Sequence, residues 1–199
     1  MTTAGTDGPT DRESKKRRTR LRLHTAAVRL AVERGYQATT ADEIAAAAGV
    51  SPRTFFNYFA TKEDAIVGSD PDRPARLHRA VVERPSHERP AEALRAVLTD
   101  QVREMEGDPD LWRMRSTLAA STPELSTRLA GAGDRLETAL VEAVYLRAGT
   151  DPADDLATGL SARLAMAAVR AAFHQHRAAG ADGSLADRLD TAFDAAGVR

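Results

Sequence analysis

The 24 residues TTADEIAAAAGVSPRTFFNYFATK, from Thr39 to Lys62, place hydroxyl and carboxyl side chains where free backbone N–H groups need acceptors. Thr40 and Glu43 form a T-x-x-E capping box. Ser51 is an N-cap, with Pro52 at the first helical position, where its missing N–H costs nothing. Thr61 and Asp64 repeat the signal. Between the first two starts, Ala45 stands four residues before Gly49, so two helices can pack closely and the backbone can turn through the left-handed region. A second kind of chemistry lies upstream. The run KKRRTR at Lys15–Arg20, followed by Arg22 and His24, is suited to phosphate, because each neutralised phosphate releases condensed counterions.

Two short capped helices joined by a turn of about three residues, followed by a third helix, have the layout of a DNA-reading helix-turn-helix. The helix in front of them runs from the basic cluster to about Arg34, with Leu23, Ala27, Leu30 and Ala31 forming one buried face. Residues 11 to 62 hold eleven Lys or Arg against five acids, a net charge of +6, while the whole chain is −1. The remainder is therefore acidic, and the near-zero total conceals a polarised molecule suited to a polyanion at one end.

The 199 residues, 42% hydrophobic, suffice for a sizeable core in one or two domains. Charge asymmetry favours two. Absence of cysteine excludes disulfides, thiolate zinc sites and thiol catalysis. No stretch reads as a membrane span of about 20 uncharged apolar residues and no signal-peptide core opens the chain, so a cytoplasmic location is expected. Residues 1–12 read as a disordered tail, 13–68 as the DNA-binding domain and 69–199 as a helical second domain. No cofactor is expected. His174 and His176 are two apart and point away from each other on a helix, and there is no Gly-rich phosphate loop, HExxH or nucleophile elbow.

Beyond Lys62 the pattern stays helical, giving an all-α protein. Helices are expected from about Ala75 to Glu83, from Glu92 to Glu106, from Asp108-Pro109, from Ser121-Thr122-Pro123-Glu124 to about Ala148, from Asp151-Pro152 to about Ala178, and from Ser184 to Ala196. Leu160, Leu164, Ala168 and Ala171 on one of the last two helices, with Leu185, Leu189 and Phe193 on the other, form stripes that pack either against a second copy or against the chain's own core. Met105, Trp112, Met114, Leu118, Tyr145 and Phe173 either line an apolar effector cavity or are plain core.

From Leu23 to Ile66 the chain resembles the TetR-type transcriptional regulators: a first helix ending in ERGY, then TTADEIAAAAGVS, then PRTFFNYFATKEDAI. The resemblance implies a homodimer whose recognition helices enter successive major grooves of a palindromic operator, with half-site centres about 34 to 36 Å apart. A small-molecule effector bound in the C-terminal domain would release it. Pro52, Arg53, Thr54, Phe56 and Asn57 fall where relatives touch base edges, and Thr40, Ser51, Tyr58 and Lys62 where relatives hold phosphates, with Lys15, Lys16, Arg17 and Arg18 adding charge. Arg53 can offer a fork to guanine O6 and N7, and Thr54 and Phe56 can meet a thymine methyl. Phe55 and Phe59 are assigned to the core with Ile44 and Leu30. Phe56 lacks a tyrosine hydroxyl usual at its position, Tyr58 stands where histidine is common, and His24 replaces an aliphatic or neutral residue. The segment Arg113–Leu125, RMRSTLAASTPEL, is similar to one in members with an acyl-CoA-type ligand domain. The reading is a ligand-responsive repressor. Its alternatives are an activator, an effector-independent DNA-binding protein, or a helical enzyme or carrier.

Overall fold

The computed structural model describes residues 9–199. All regular structure among the described residues is helical: α1 (Pro9–Arg34), α2 (Ala41–Ala47), α3 (Pro52–Phe56), α4 (Lys62–Val67), α5 (Arg73–Val82), α6 (Pro90–Met105), α7 (Pro109–Ser121), α8 (Pro123–Ala148), α9 (Leu156–Ala178) and α10 (Leu185–Ala195). Residues 1–8 of the expected tail lie outside the described residues, while α1 already begins at Pro9.

The chain divides into two compact units, one running to Ser69 and also taking in 117–128, the other made of 70–116 and 129–199. In the first unit, α1 packs on α2 and α4, and α2 packs on α3. Leu23, Ala27, Val28, Leu30, Ile44, Ala45, Phe55, Phe59 and Ile66 are buried there. The two phenylalanines meet at a ring distance of 6.0 Å. Thr40 and Glu43 form the full capping box of α2, Ser51 accepts from Thr54 N–H, and Thr61 accepts from Asp64 N–H. At Gly49 (φ 66°) the Val50 N–H returns to the Ala45 carbonyl at 3.0 Å and the Gly49 N–H to Ala46 at 3.0 Å. This paired closure satisfies carbonyls that α2 would otherwise leave open.

In the second unit, α6 packs on α5, α9 and α10, and α9 packs on α10. Leu94, Val97, Leu98, Leu140, Val144, Met166, Leu185, Leu189 and Phe193 form its core. The α10 stripe expected at a dimer interface is part of this core: Leu185, Leu189 and Phe193 are at most 1% exposed. The cause is that α10 is fixed to its own chain along its length. Glu106 accepts from Ser184 Oγ and from the N–H groups of Leu185 and Ala186 at its start, and Arg95 reaches Asp190 and Asp194 further along. Ala168 is buried likewise, so only Leu160, Leu164 and Ala171 of the expected interface face outward.

α9 starts later than its Asp-Pro signal suggests. Asp151 closes a turn, its carboxylate accepting from Ala153 N–H at 2.8 Å, and Asp155 is the N-cap, accepting from Thr158 N–H at 3.0 Å. By length and composition α9 is apolar enough to cross a membrane, which the sequence reading did not expect. It packs on α6 and α10, with Ala162, Ala165, Met166, Ala168 and Ala172 buried, and Arg163 and Arg170 interrupt it.

Candidate nucleic-acid interface

α3 spans five residues, and that shortness decides which side chains it offers. Phe55 turns inward and is fully buried, which leaves Pro52, Arg53, Phe56 and Asn57 exposed around it and Thr54 half-buried. The Phe56 ring meets Phe55 edge-on at 5.2 Å and is nevertheless 56% exposed. Thr54 has a second task, since its hydroxyl lies 2.9 Å from the Ser51 hydroxyl and shares in the cap. Four of the five expected base readers are thus brought together on one open surface.

The expected phosphate holders separate. Lys62, placed at a phosphate by the resemblance, directs its ammonium inward: it donates to the carbonyls of Tyr36 (3.0 Å), Gln37 (3.3 Å) and Thr39 (2.9 Å) and lies 4.6 Å from the Tyr36 ring centroid. An ammonium has three donors, and all three are spent. Thr40 is similarly committed, because its N–H and its hydroxyl both donate to Glu43 Oε2, at 3.0 and 2.9 Å. These hydrogen bonds to Thr40 hold the Glu43 carboxyl below its ordinary range. Neither residue has a side-chain donor left for a phosphate in this arrangement. Tyr58 is half-buried, while Ser51, Lys15, Arg17 and Arg18 are exposed and Lys16 half-buried.

Other residues of the basic helix brace the reading surface, a role charge alone did not reveal. Arg20 donates to the carbonyls of Tyr58 (3.1 Å) and Ser69 (2.7 Å), with its guanidinium 5.0 Å from the Phe59 ring centroid. Arg22 donates to the Ala48 carbonyl at the end of α2. His24 explains itself through α4: its Nδ1–H donates to the Ala65 carbonyl at 2.8 Å, and a Cβ on Gly68 would come within 3.1 Å of its ring. An aliphatic residue could fill that space but could not donate to this carbonyl, which also accepts from Gly68 N–H at 3.2 Å. Tyr36 donates its hydroxyl to Glu63 at 2.8 Å; burial first, and then this carboxylate, push the Tyr36 pKa up to about 12. Burial alone would raise Glu63, but its hydrogen bonds to backbone, Tyr36 and Thr61 outweigh that and keep it below its ordinary value. Arg128 closes the same unit on Asp64 at 2.7 Å.

The expected effector residues divide as well. Trp112 stacks near Phe173 (6.0 Å) and His176 (4.6 Å) in the second unit, with Met105 packed against the same core. Met114 and Leu118 are half-buried, Leu118 in the segment that belongs to the first unit. Tyr145 stands apart from them. Its hydroxyl donates to the Asp155 carbonyl at 2.9 Å, its ring covers Gly159, and it lines an α8–α9 surface groove with Leu156 and Leu160.

Comparison with known proteins agrees with this geometry. The family model for bacterial regulatory proteins of the tetR family matches residues 23–65, and that for the MftR C-terminal domain matches residues 88–197. The HTH-type transcriptional regulator TcmR of Streptomyces glaucescens is 36% identical over 156 residues, covering 75% of this chain and 69% of its own. Among solved structures, FadR of Thermus thermophilus in complex with lauroyl-CoA is similar with a TM-score of 0.50 at 25% identity, covering 89% of this chain and 92% of its own. SmeT of Stenotrophomonas maltophilia in complex with triclosan shares the fold with a TM-score of 0.57 at 20% identity, covering 89% of this chain and 90% of its own. With its capped helix-turn-helix and helical second unit, the chain belongs to the TetR family of bacterial regulatory proteins and is a DNA-binding transcriptional regulator, not an enzyme.

Proposed function

We propose that the protein is a one-component repressor: a homodimer that holds a palindromic operator and lets go when a small hydrophobic effector enters its second unit. The observation that carries the DNA half is the exposed set Pro52, Arg53, Phe56 and Asn57, with Thr54 beside it, on a helix whose other face is locked into the core. Arg53 suits a guanine edge and the exposed Phe56 ring suits a thymine methyl. Ser51, Tyr58, Lys15, Lys16, Arg17 and Arg18 are the candidate phosphate contacts, which would position the protein without reading sequence.

Dimerisation is assigned to α8 and α9, where Leu146, Leu156, Leu160 and Leu164 are between 37% and 80% exposed. Such a stripe is costly in water and suits a second copy presenting the same helices. The effector is assigned to the apolar neighbourhood of Met105, Trp112 and Phe173. The lauroyl-CoA and triclosan held by the similar proteins support a hydrophobic class, with an acyl-CoA as one member. A regulator of this kind works in the cytoplasm, beside the chromosome.

Fluorescence anisotropy of the full-length protein on labelled genomic fragments flanking its own gene tests the reading. Salt-sensitive binding to one fragment at a two-fold symmetric site, weakened by an effector, is expected. Uniform affinity for every fragment would sink it.

A further inference from the structure

Beside α6 the second unit carries an open cleft of about 480 Å³ rich in guanidinium groups: Arg84 and Arg89 from the α5–α6 loop, Arg95 and Arg103 from α6, and Arg199. No residue assigned above to the effector, the DNA surface or the dimer face lines it. Three carboxylates share the lining, and each already pairs with an arginine: Glu92 with Arg89 at 2.9 Å, Asp190 with Arg95 at 3.1 Å, and Asp100 with Arg103 at 3.6 Å. Five cations against three anions leave the lining with an excess of two positive charges, in the acidic part of the chain.

Three of these arginines are held in place. Arg84 gives Nε and Nη2 to Glu88, at 2.8 and 2.6 Å, and Arg95 reaches Asp190 and Asp194 with its guanidinium 5.5 Å from the Phe193 ring centroid. Arg89 spends only Nη2 on the Glu92 side chain. Glu88 and Asp194 stand outside the lining. A guanidinium has five N–H donors, so each of the three is oriented by a carboxylate and still has donors to offer. Groups oriented beforehand lose little freedom when a ligand arrives. Arg103 is different: it and Asp100 are both more than 60% exposed, and such a pair holds it weakly. The most buried lining residue is Thr99, 6% exposed, whose hydroxyl has no hydrogen-bond partner in the protein. Donors are therefore in surplus at the cleft, and what suits them is a ligand rich in acceptors and negative charge.

We propose that this cleft binds a small polyanion carrying two or more phosphoryl groups. The planar guanidinium fork matches the oxygens of a phosphate in pairs, and the volume lies within the range of small-molecule sites. Arg95 and Arg103 stand eight residues apart on α6, about 12 Å along its axis, so one orthophosphate meets only part of the set whereas linked phosphates meet more of it. The site is separate from the apolar neighbourhood of Trp112 and Phe173, and it stands or falls independently of the ligand-responsive reading.

Calorimetric titration of the full-length protein with pyrophosphate, ADP, orthophosphate and adenosine tests the proposal. Pyrophosphate, ADP or both should bind saturably with a Kd at least about tenfold below that of orthophosphate, weakening as salt rises, and adenosine should not bind. Tighter binding of ADP identifies a nucleotide, and equal binding identifies the bare diphosphate. Because the basic end of the chain also attracts phosphate, the titration is repeated in an excess of random-sequence duplex DNA, which should leave the Kd unchanged. Arg103→Gln combined with Arg199→Gln should raise the Kd at least about tenfold at an unaltered melting temperature, since both side chains are exposed. The ligand and duplex comparisons are made on the wild type and decide the matter even where the variant fails to fold. No saturable binding at millimolar concentration, equal affinity for pyrophosphate, ADP and orthophosphate, displacement by the duplex, or an unchanged Kd in the folded double variant overturns the proposal.

Discussion

The Lys62 ammonium lies 4.6 Å from the Tyr36 ring centroid and donates to the Tyr36 carbonyl at 3.0 Å. With the carbonyls of Gln37 and Thr39 it thereby fixes the loop between α1 and α2 to the start of α4. Lys62→Met should accordingly lower the stability of the protein by about 1.5 to 3 kcal/mol, the range for hydrogen bonds to a charged group. Its operator affinity should fall with stability, and the slope of affinity against salt should keep its wild-type value. A slope flattened by about one charge at unchanged melting temperature would return Lys62 to a phosphate.

Arg53 carries the opposite expectation. It is exposed and lies in the first turn of α3, so Arg53→Ala should leave the melting temperature within about 1 °C while reducing discrimination between the operator and a scrambled site by about 1 to 3 kcal/mol. Competition binding with both duplexes measures this directly. Unchanged discrimination would remove Arg53 from the base-reading set.

Leu160 and Leu189 look alike in sequence and differ in surroundings: one is 46% exposed, the other fully buried. Leu160→Asp should yield a folded monomer by light scattering, whereas Leu189→Asp should unfold the second unit. A dimeric Leu160→Asp protein would exclude this face of α9 as the interface.

His176 makes stability depend on pH. Burial, and after it the charge of Arg188, hold its imidazole below the ordinary histidine value, against the opposite pull of Glu106 and Asp182. The unfolded chain then takes up the proton at a higher pH than the folded one, so stability is full above about 6.5 and is lost as the pH falls through that value. Urea denaturation at pH 7 and pH 5 should show a smaller loss for His176→Gln than for the wild type. Equal losses would place the acid sensitivity elsewhere.

The reading head was legible because its signals are local. Thr40, Glu43, Ser51, Pro52 and Gly49 each act within about four residues, where spacing alone specifies the hydrogen bond. What escaped was longer in range. Lys62 is the right residue type for a phosphate, yet its partners lie 23 to 26 residues upstream. Periodicity showed that Leu185, Leu189 and Phe193 share a face, but not that Glu106, some 80 residues away, pins that helix to its own core. The start of α9 was misplaced because Asp151 and Asp155 carry the same capping chemistry, and only the conformation between them selects the second.

Arg147 extends the pattern seen at Lys62, Arg20 and Arg22. Its guanidinium gathers the carbonyls of Val81, Val82, Arg84, Pro85 and Glu88, where α5 ends and the following loop turns. Every residue type supplies a carbonyl, so this clasp is indifferent to which side chains the loop carries and sensitive only to the path of its backbone. Substitution at Ser86 or His87 should pass almost unnoticed, while a single inserted residue would move several acceptors at once. Tolerance to change in that loop is thus a matter of length rather than of sequence.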